Sequence, residues 1–484
     1  MQDPLDASRR RFLLGTAAAL ASGPLLLPAR GAVAPRGAEF LQDLQRRTFY
    51  WFWDTTPTNN GLVLDRHPSR SPCSIAAVGF GLTAYPIGIE RGHVSRDEAI
   101  ERVLTTLRFF RNAPQGPQET GVAGYKGFFY HFLDVRNGTR YRDCELSTVD
   151  TALLLGGVLF CGSYFDRKTP DETEIRRLAE EIYARVDWTW AQPRAPAICH
   201  GWTPGQGYIK WDWLGYNEAM LVYILALGAP EHAVGPEAWQ AYTATYGNSW
   251  GTLYGQEHLT FRPLFGHQYT HVWVDFRGIR DEFMRGRKLD YFENSRRATH
   301  VHRAYATQNP MRWKEYGESV WGLTACDGPA DVQRPFAGEL RRFRGYSARG
   351  VGLDRNIDDG TICPSAAGGS IAFAPEIAIP ALESMASRYG EHIYGRYGFV
   401  DSFNPSFDFA APLRYGRRVP GFGWIDTDRL GIDQGPILAM TENYRSGLVW
   451  RVMRGNAHIR KGLARAGFTG GWLGSAPTPA RRRK

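Results

Sequence analysis

The sequence predicts a mostly helical protein of the all-α class. Apolar residues recur every three or four positions over long stretches, for example at Val103, Leu107 and Phe110, which is the spacing of one helix face. Few segments alternate between apolar and polar residues for more than four positions, so little extended sheet is expected. A count near twelve helices with long loops fits two concentric rings of six hairpin-linked helices, an (α/α)6 toroid.

Capping residues mark the starts of two helices. Ser95 and Glu98 have the spacing of a capping box. Thr169, Pro170 and Glu172 supply an N-cap, a proline at the first helical position and an acid at the third. Further helices are predicted near 38–55, 74–90, 148–165, 217–228, 236–245, 290–307, 373–389 and 431–453. Long loops are predicted at 115–140, 190–215 and 327–372.

The two ends of the chain differ from its middle. Paired arginines at 9–11 precede a short apolar stretch from Leu13 to Leu27, which is typical of a twin-arginine export signal and too short to span a bilayer comfortably. An uncleaved anchor or an amphipathic arm is the alternative. The predicted organisation is an export signal over 1–34, one domain over 35–470 and a disordered basic tail over 471–484. A helical domain with a small β insertion near 245–280, where Val272–Val274 could be a strand, is the alternative for the middle.

Charge and cysteine usage exclude several classes of partner. Of the formal net charge of +9, the leader accounts for +2 and the last four residues for +4, which leaves +3 over interspersed charges. A nucleic-acid binder needs a basic face, so no nucleic acid is expected. The six cysteines lack zinc-ligand spacing, and no metal or cofactor is predicted. The longest apolar run after the leader has 11 residues, too few to cross a membrane. A periplasmic or secreted monomer is expected.

Aromatic residues stand beside acids in many of the loops. Examples are Trp51–Asp54, Trp211–Trp213 and Trp424–Asp426. Sugars present C–H faces to aromatic rings and hydroxyl groups to carboxylates, so these loops favour a carbohydrate cleft with an oligo- or polysaccharide as partner. The structural alternative is that the rings fill a large core, since aromatic area dominates interiors.

Two acidic stretches precede strongly apolar helices. Asp143, Glu145 and Asp150 lie at the start of the helix near 148–165, and Glu218 lies at the start of the helix near 217–228. Glycoside hydrolysis needs one carboxylic acid to protonate the leaving oxygen and a second carboxylate to activate water or attack the anomeric carbon. Burial at the mouth of an apolar helix would raise the pKa of Glu218, as a general acid requires. Stabilisation by the helix dipole is the non-catalytic alternative for Asp150, and N-terminal capping is the alternative for Glu218.

The motifs of the chain, taken in order, resemble a known family. They include Glu145-Leu-Ser-Thr-Val-Asp150, Tyr216-Asn-Glu218-Ala-Met, Trp273-Val-Asp275-Phe-Arg277, Trp321-Gly-Leu-Thr-Ala-Cys-Asp327, Asp401-Ser-Phe-Asn404-Pro and Leu430-Gly-Ile-Asp433-Gln. With these motifs the chain is similar to endo-β-1,2-glucanases, whose catalytic domain is related to the glycoamylase-like domain of cyclic β-1,2-glucan synthases. The resemblance covers about 40–465 and implies an (α/α)6 toroid that hydrolyses β-1,2-glucan. Inversion is implied by the glucanases and retention by the synthases.

The resemblance also implies roles for individual residues. Glu218 matches an essential acid, and Asp143, Glu145 and Asp150 supply the other essential carboxylates, with the roles of these three left open. We predict that Glu218 is the general acid and that Glu145 or Asp150 activates water, directly or through a substrate hydroxyl. The predicted substrate-lining residues are Trp273, Asp275, Arg277, Trp321, Asp327, Asp401, Asn404 and Asp433. Structural ion pairing at loop bases is the alternative for these charged residues.

Three other functions compete with hydrolysis. A transglycosylase on the same scaffold would make products longer than its substrate. A non-catalytic periplasmic glycan-binding protein would keep the aromatic residues without releasing reducing ends. A lyase acting on uronic acids would favour Tyr, His and Arg in catalysis. Endo or exo action is left open by the sequence.

Overall fold

Helices are the main regular structure of the chain in this computed structural model, which describes residues 37–474. The predicted export signal at 1–34 and residues 475–484 of the predicted tail lie outside the described residues. The α-helices of the described part are α1 (Ala38–Thr55), α2 (Ile75–Glu90), α3 (Arg96–Asn112), α4 (Thr148–Tyr164), α5 (Pro170–Ala184), α6 (Met220–Gly228), α7 (Glu237–Thr243), α8 (Tyr246–Ser249), α9 (Tyr269–Trp273), α10 (Glu282–Arg287), α11 (Tyr291–Gln308), α12 (Pro364–Gly368), α13 (Pro375–Tyr389), α14 (Gly431–Arg445), α15 (Leu448–Met453) and α16 (Ala457–Arg465). The prediction of a mostly helical protein is confirmed.

The helices form an inner and an outer layer. Helices α2, α4, α6 and α14 are buried along almost their whole length, because a helix that is apolar on every side is stable only in an interior. Helix α2 packs between α4 and α14, and α4 also contacts α6. Helices α1, α3, α5 and α16 are amphipathic, and each covers an inner helix with its apolar face.

The two predicted helix starts are confirmed. Ser95 Oγ accepts the backbone N–H of Glu98 at 3.2 Å, and the Glu98 carboxylate accepts that of Ser95 at 2.8 Å. Thr169 Oγ1 accepts the N–H of Glu172 at 3.3 Å. The buried Glu172 carboxylate accepts a hydrogen bond from Arg96 at 2.7 Å, so the cap of α5 also fastens it to α3.

Short antiparallel strands occupy the long loops, which the all-α prediction missed. They are β1 (Arg66–His67), β2 (Cys73–Ser74), β3 (Gly124–Tyr125), β4 (Phe128–Tyr130), β5 (Phe132–Leu133), β6 (Leu146–Ser147), β7 (Gly201–Thr203), β8 (Gly207–Tyr208), β9 (Trp250–Leu253), β10 (Gln256–Leu259), β11 (Ala325–Cys326), β12 (Val332–Phe336), β13 (Glu339–Phe343), β14 (Ser347–Ala348), β15 (Tyr394–Gly395), β16 (Gly398–Phe399), β17 (Phe403–Asn404), β18 (Arg417–Val419), β19 (Gly423–Ile425) and β20 (Arg429–Leu430). The largest sheet has the order β3-β4-β6-β7-β8, and a second has the order β17-β19-β18. Strands of two to five residues are too short to show an alternating pattern.

The predicted β insertion is correct in its region and wrong in its strand. The hairpin β9–β10 pairs Leu253 with Gln256 inside the 245–280 segment. The Val272–Val274 stretch is not a strand, because residues up to Trp273 belong to α9. A short apolar run carries no periodicity that separates strand from buried helix. The predicted helix 431–453 is also interrupted, since Gly447 adopts a left-handed φ of 67° between α14 and α15.

The packed part of the chain extends past the predicted tail boundary at 471. Residues Gly471–Gly474 form a 3-10 turn, and the indole N–H of Trp472 donates to the carbonyl of Asp275 at 2.7 Å. A disulfide joins Cys326 to Cys363, and the other four cysteines are free thiols. Within residues 37–474, no helix combines the length and the apolar character needed to cross a membrane.

Candidate active site

The loop before α6 holds Glu218 in a fixed position. Asn217 Oδ1 accepts the backbone N–H of Ala219 at 3.0 Å, and the Asn217 amide donates to the carbonyl of Leu214 at 3.2 Å. The buried hydroxyl of Tyr242 donates to the carbonyl of Asn217 at 3.0 Å. These bonds fix the backbone on both sides of Glu218, so its side chain is presented in one direction.

The surroundings of the Glu218 carboxyl group favour its protonated form. Its Oε2 atom is buried and has no hydrogen-bond partner among the described residues. Burial raises the pKa of Glu218 to about 7, and the negative charge of Asp150 raises it further against an opposing backbone hydrogen bond. Glu218 and Asp150 are therefore neighbours, although they lie at the starts of different helices.

His131, Glu145 and Asp150 form a group that we call the histidine-bridged pair. His131 Nδ1 lies 2.9 Å from Glu145 Oε1, and its Nε2 lies 3.6 Å from Asp150 Oδ1. The hydroxyl of Ser147 donates to Asp150 Oδ2 at 2.5 Å. The pairing of β4 with β6 brings His131 next to Glu145. The backbone N–H of His131 donates to the carbonyl of Glu145 at 2.9 Å and extends this strand pairing by one hydrogen bond.

Opposite charges set the protonation of this pair. Burial lowers the pKa of His131, but the charge of Asp150 and the bond to Glu145 outweigh it and raise the pKa to about 9. For Glu145, burial is outweighed by the bond and charge of His131, which lower its pKa. Burial dominates at Asp150 and raises its pKa. The pair therefore presents an imidazolium beside an ionised, partly exposed Glu145.

Asp327, Asp401 and Asp426 form a second group, which we call the buried aspartate cluster. The backbone N–H of Asp327 donates to Asp401 Oδ2 at 2.7 Å, and Arg66 donates to Asp327 Oδ2 at 2.6 Å. Asp401 precedes β17 and Asp426 follows β19, and these strands pair with each other. This strand pairing brings Asp401 and Asp426 together, and Asp327 directly follows β11.

Burial and mutual repulsion raise the pKa values of these aspartates. The pKa of Asp401 is well above its usual range because of burial first and then the charges of Asp433 and Asp327. Burial and the charge of Asp327 raise the pKa of Asp426 to about 7. Asp433, in the first turn of α14, has a pKa raised by burial to about 6 and shares a hydrogen bond with Asp401.

Two tyrosines connect the acidic groups into one cleft. The Tyr346 side chain is 57% exposed, yet its pKa is raised by burial and then by Asp433, Asp401, Asp327 and Glu218. The Tyr346 ring is thus an exposed surface within electrostatic range of acids from several segments. The pKa of Tyr269 is raised by burial and then by charges that include Asp433, Glu218 and Asp150.

A buried arginine fixes the segment that carries Tyr346. The guanidinium group of Arg349 is fully buried and bonds both carboxylate oxygens of Asp359, at 2.7 and 2.9 Å. It also donates to the carbonyls of Gly345 at 3.1 Å and Cys326 at 2.8 Å. The backbone next to Tyr346 is therefore fixed, while the Tyr346 ring stays exposed to solvent.

Comparison with known proteins agrees with this arrangement of helices and acids. The model of a family named Glycoamylase, described as "Putative glucoamylase", matches residues 210–457, just over half of the chain. The chain belongs to the glycoamylase family. The matched segment includes Glu218, Tyr346 and all three residues of the buried aspartate cluster. The family resemblance predicted from the motifs is thereby confirmed.

Other glycoamylase-like proteins share most of the chain. A solved structure from Bacteroides uniformis with the same family description is 30% identical, with a TM-score of 0.76 over 90% of this chain and 98% of that one. An endo-β-1,2-glucanase from Chitinophaga pinensis, solved with sophorotriose and glucose, is 25% identical, with a TM-score of 0.76 over 90% and 99%. An exo β-1,2-glucooligosaccharide sophorohydrolase from Parabacteroides distasonis is 27% identical over 458 residues. That match covers 88% of this chain but 57% of the sophorohydrolase.

Several predicted substrate-lining residues of this glycoamylase-family chain are structural instead. Trp273 is fully buried, stacks on Phe80 and donates its indole N–H to Thr83 at 3.0 Å. The buried Asp275 carboxylate is bonded by Arg277 and Arg454. The interpretation of Trp273 and Asp275 as sugar contacts is corrected, since a ring or carboxylate already covered by protein offers no surface to a ligand. Arg277 is 45% exposed, and its role as a sugar contact stays a prediction.

The structure also gives other surroundings to three predicted site residues, Trp321, Asn404 and Asp143. Trp321 is fully buried in an apolar cluster. Asn404 is fully buried and its amide donates to the carbonyl of Asp359 at 2.9 Å, which makes it a loop brace. Asp143 is exposed and lies outside the histidine-bridged pair. Asp327, Asp401 and Asp433 are buried as well and lie close to one another, so their role as substrate contacts stays a prediction.

The sequence analysis missed other residues of the cleft. His131 lies in a predicted loop, Arg66 follows a single aspartate, and Tyr346 belongs to no recognised motif. Asp426 ends one of the aromatic-plus-acid loops, a signal that could have placed it among the site residues. His131 and Arg66 reach Glu145 and Asp327 from more than ten positions away, so no local pattern marks these contacts.

Both acidic groups have a geometry that fits a metal ion. His131, Glu145 and Asp150 offer ligand atoms within 4.8 Å of one another, and so do Asp327, Asp401 and Asp426. In the histidine-bridged pair, the imidazole already links the two carboxylates. The buried aspartate cluster has no such bridge among the described residues.

Proposed function

We propose that this glycoamylase-family chain is a glycoside hydrolase that cleaves β-1,2-glucan, with Glu218 as general acid. The observation that carries the proposal is the Glu218 carboxyl group, whose pKa is raised to about 7 by burial and by the charge of Asp150, while His131 links Asp150 to an ionised Glu145. A group with such a pKa donates a proton near neutral pH. The names of the Chitinophaga and Parabacteroides relatives support β-1,2-glucan as the substrate.

Glu218 would protonate the glycosidic oxygen as its bond to the anomeric carbon breaks. Water would attack that carbon from the opposite face and lose a proton to a carboxylate, which gives inversion when the two carboxyl groups leave room for the water. Glu145 suits this role because its pKa is lowered and its side chain is 34% exposed. The charge of Asp150 helps to keep the proton on Glu218.

The test is incubation of the full mature chain with linear β-1,2-glucan and with β-1,3-, β-1,4- and β-1,6-glucans. We expect shorter β-1,2-glucans with inverted anomers at early times by NMR, and little release from the other linkages. Products longer than the substrate would favour a transglycosylase. Binding without new reducing ends would favour a glycan-binding protein, and ultraviolet-absorbing unsaturated ends would indicate a lyase.

The two helix layers support a finer description of the fold. We propose that they close into the (α/α)6 toroid, with the acidic groups at the end where the inner helices begin. The alternation of apolar inner helices with amphipathic outer helices supports this, since each inner helix is followed or covered by an outer one. An experimental structure in which fewer than six inner helices surround the cleft would contradict it.

We also propose that residues 1–34 direct export by the twin-arginine route, so that the enzyme meets its glucan outside the cytoplasm. The paired arginines at 9–11 before an apolar stretch support this. Replacing Arg9, Arg10 and Arg11 by lysine should leave the chain in the cytoplasm of a bacterial host. Unchanged export would contradict the proposal.

A further inference from the structure

Each carboxylate of the buried aspartate cluster has one oxygen held by a protein N–H group and one that no N–H or hydroxyl donor of the described residues reaches. Asp327 Oδ2 accepts from Arg66, Asp401 Oδ2 accepts from the N–H of Asp327, and Asp426 Oδ1 accepts from the N–H of Thr427 at 2.6 Å. Asp327 Oδ1, Asp401 Oδ1 and Asp426 Oδ2 are buried and receive no hydrogen bond from an amide, hydroxyl or basic group within residues 37–474, although the carboxyl groups of Asp401 and Asp433 share one. All three residues are only 1% exposed. Buried polar atoms are normally paired, so three adjacent exceptions need an explanation.

We propose that the buried aspartate cluster binds a divalent cation through these three oxygens, and that Ca²⁺ fits it best. One oxygen from each residue can be chosen so that all three lie within 4.8 Å of one another. Ca²⁺ is bound by several carboxylate and carbonyl oxygens of the protein itself. Mg²⁺ dehydrates reluctantly and usually keeps several waters, which suits residues that are only 1% exposed less well.

The side chains around the cluster are mostly acidic, which favours a bound cation. Arg66 contacts Asp327 closely and approaches Asp428 at 3.8 Å. Asp65, Asp428 and Asp433 add their negative charges to those of the cluster. One guanidinium group does not neutralise so many buried carboxylates, and charges in an interior must be paired, protonated or bound to a metal.

The histidine-bridged pair is the internal comparison. There, the imidazolium of His131 occupies the space between two carboxylates and supplies the positive charge. No histidine, lysine or arginine of the described chain sits in the same position between Asp401 and Asp426. The cation would supply positive charge between the carboxylates of the cluster, as His131 does between those of the pair.

A cation here would join three segments of the cleft wall. Asp327 ends the β11 segment, Asp401 precedes β17 and Asp426 follows β19. Tyr346 faces this wall. A bound Ca²⁺ would therefore hold the wall and the tyrosine in register and stabilise the folded chain by mass action.

The test uses the full mature chain after chelator treatment and dialysis, without any glucan, so its outcome is independent of the proposed hydrolysis. Isothermal titration calorimetry with CaCl₂ should show one site per chain, and the melting temperature should rise with Ca²⁺. MgCl₂ should bind at least about tenfold more weakly. Chelator-treated wild-type protein that keeps its circular dichroism spectrum and binds no Ca²⁺ would overturn the proposal.

Two variants locate the site. Asp426→Asn removes a ligand charge and should weaken Ca²⁺ binding by at least about tenfold, whereas Asp408→Asn changes an exposed aspartate of the same loop region and should bind as wild type. Equal binding by Asp426→Asn and wild type would overturn the assignment. If Asp426→Asn does not fold, the wild-type titration alone decides, because an absence of binding there is sufficient.

Discussion

The histidine-bridged pair and the buried aspartate cluster face the same cleft, yet their acids differ in state. In the pair, His131 bonds Glu145 and lowers its pKa, while the Glu145 side chain stays 34% exposed. In the cluster, no comparable cation lies between the three aspartates of the described structure, and burial with mutual repulsion raises their pKa values. Glu145, which bonds a cation and is partly exposed, thus keeps its charge, whereas acids that are buried against one another hold their protons more tightly.

Glu218→Gln should have the largest effect on activity. The amide cannot donate an acidic proton, so turnover of β-1,2-glucan should fall by at least about 100-fold. Steady-state kinetics measures this, and far-ultraviolet circular dichroism should stay unchanged because the amide keeps the volume. Glu231→Gln, at an exposed position, is the matched control. A rate near that of wild type would remove Glu218 from the role of acid.

Glu145→Gln tests which acidic group supplies the base. We expect turnover to fall by roughly 10- to 100-fold, since the ionised carboxylate that accepts the proton of water is lost. Asp401→Asn is the counterpart in the cluster. Full activity of Glu145→Gln together with a loss in Asp401→Asn as large as that in Glu218→Gln would move the base to the buried aspartate cluster.

Tyr346→Ala should weaken substrate binding more than it slows the chemical step. Loss of the open ring should raise KM by about 2- to 10-fold, which corresponds to about 0.5–1.5 kcal/mol of aromatic contact. Tyr346→Phe keeps the ring and should retain most of the affinity. An unchanged KM in Tyr346→Ala would show that the ring does not contact the sugar.

The smallest expected effect is a shift in the pH profile. Activity should fall as pH rises through about 7, because Glu218 loses its proton there. Asp150→Asn removes a negative charge that raises the pKa of Glu218, so the alkaline limb of kcat/KM should move to lower pH. The limb of a matched Asp143→Asn variant should not move. An alkaline limb that stays in place in Asp150→Asn would contradict the electrostatic effect of Asp150 on Glu218.

Sequence patterns determined the helices, their caps and three of the acids at the cleft. Ser95 with Glu98 and Thr169 with Glu172 act over three residues, so their effect is visible in the printed order of the chain. The apolar stretches after Asp150 and Glu218 predict buried helices, and a carboxyl group at the start of a buried helix has little choice of environment. The family resemblance added Asp327, Asp401 and Asp433 through motifs of several residues.

Only the tertiary structure decided which polar and aromatic residues reach the cleft. Trp273 and Asp275 belong to a family motif, as Glu218 does. Trp273 nevertheless bonds Thr83 and Asp275 bonds Arg454, both from segments far away in sequence. His131 and Asp426 reach the acidic groups through strand ladders two or three residues long. Burial and charge balance depend on partners far away in sequence, whereas spacing along the chain reports only the nearest turns. Local order therefore fixed the helices, and long-range packing selected the site.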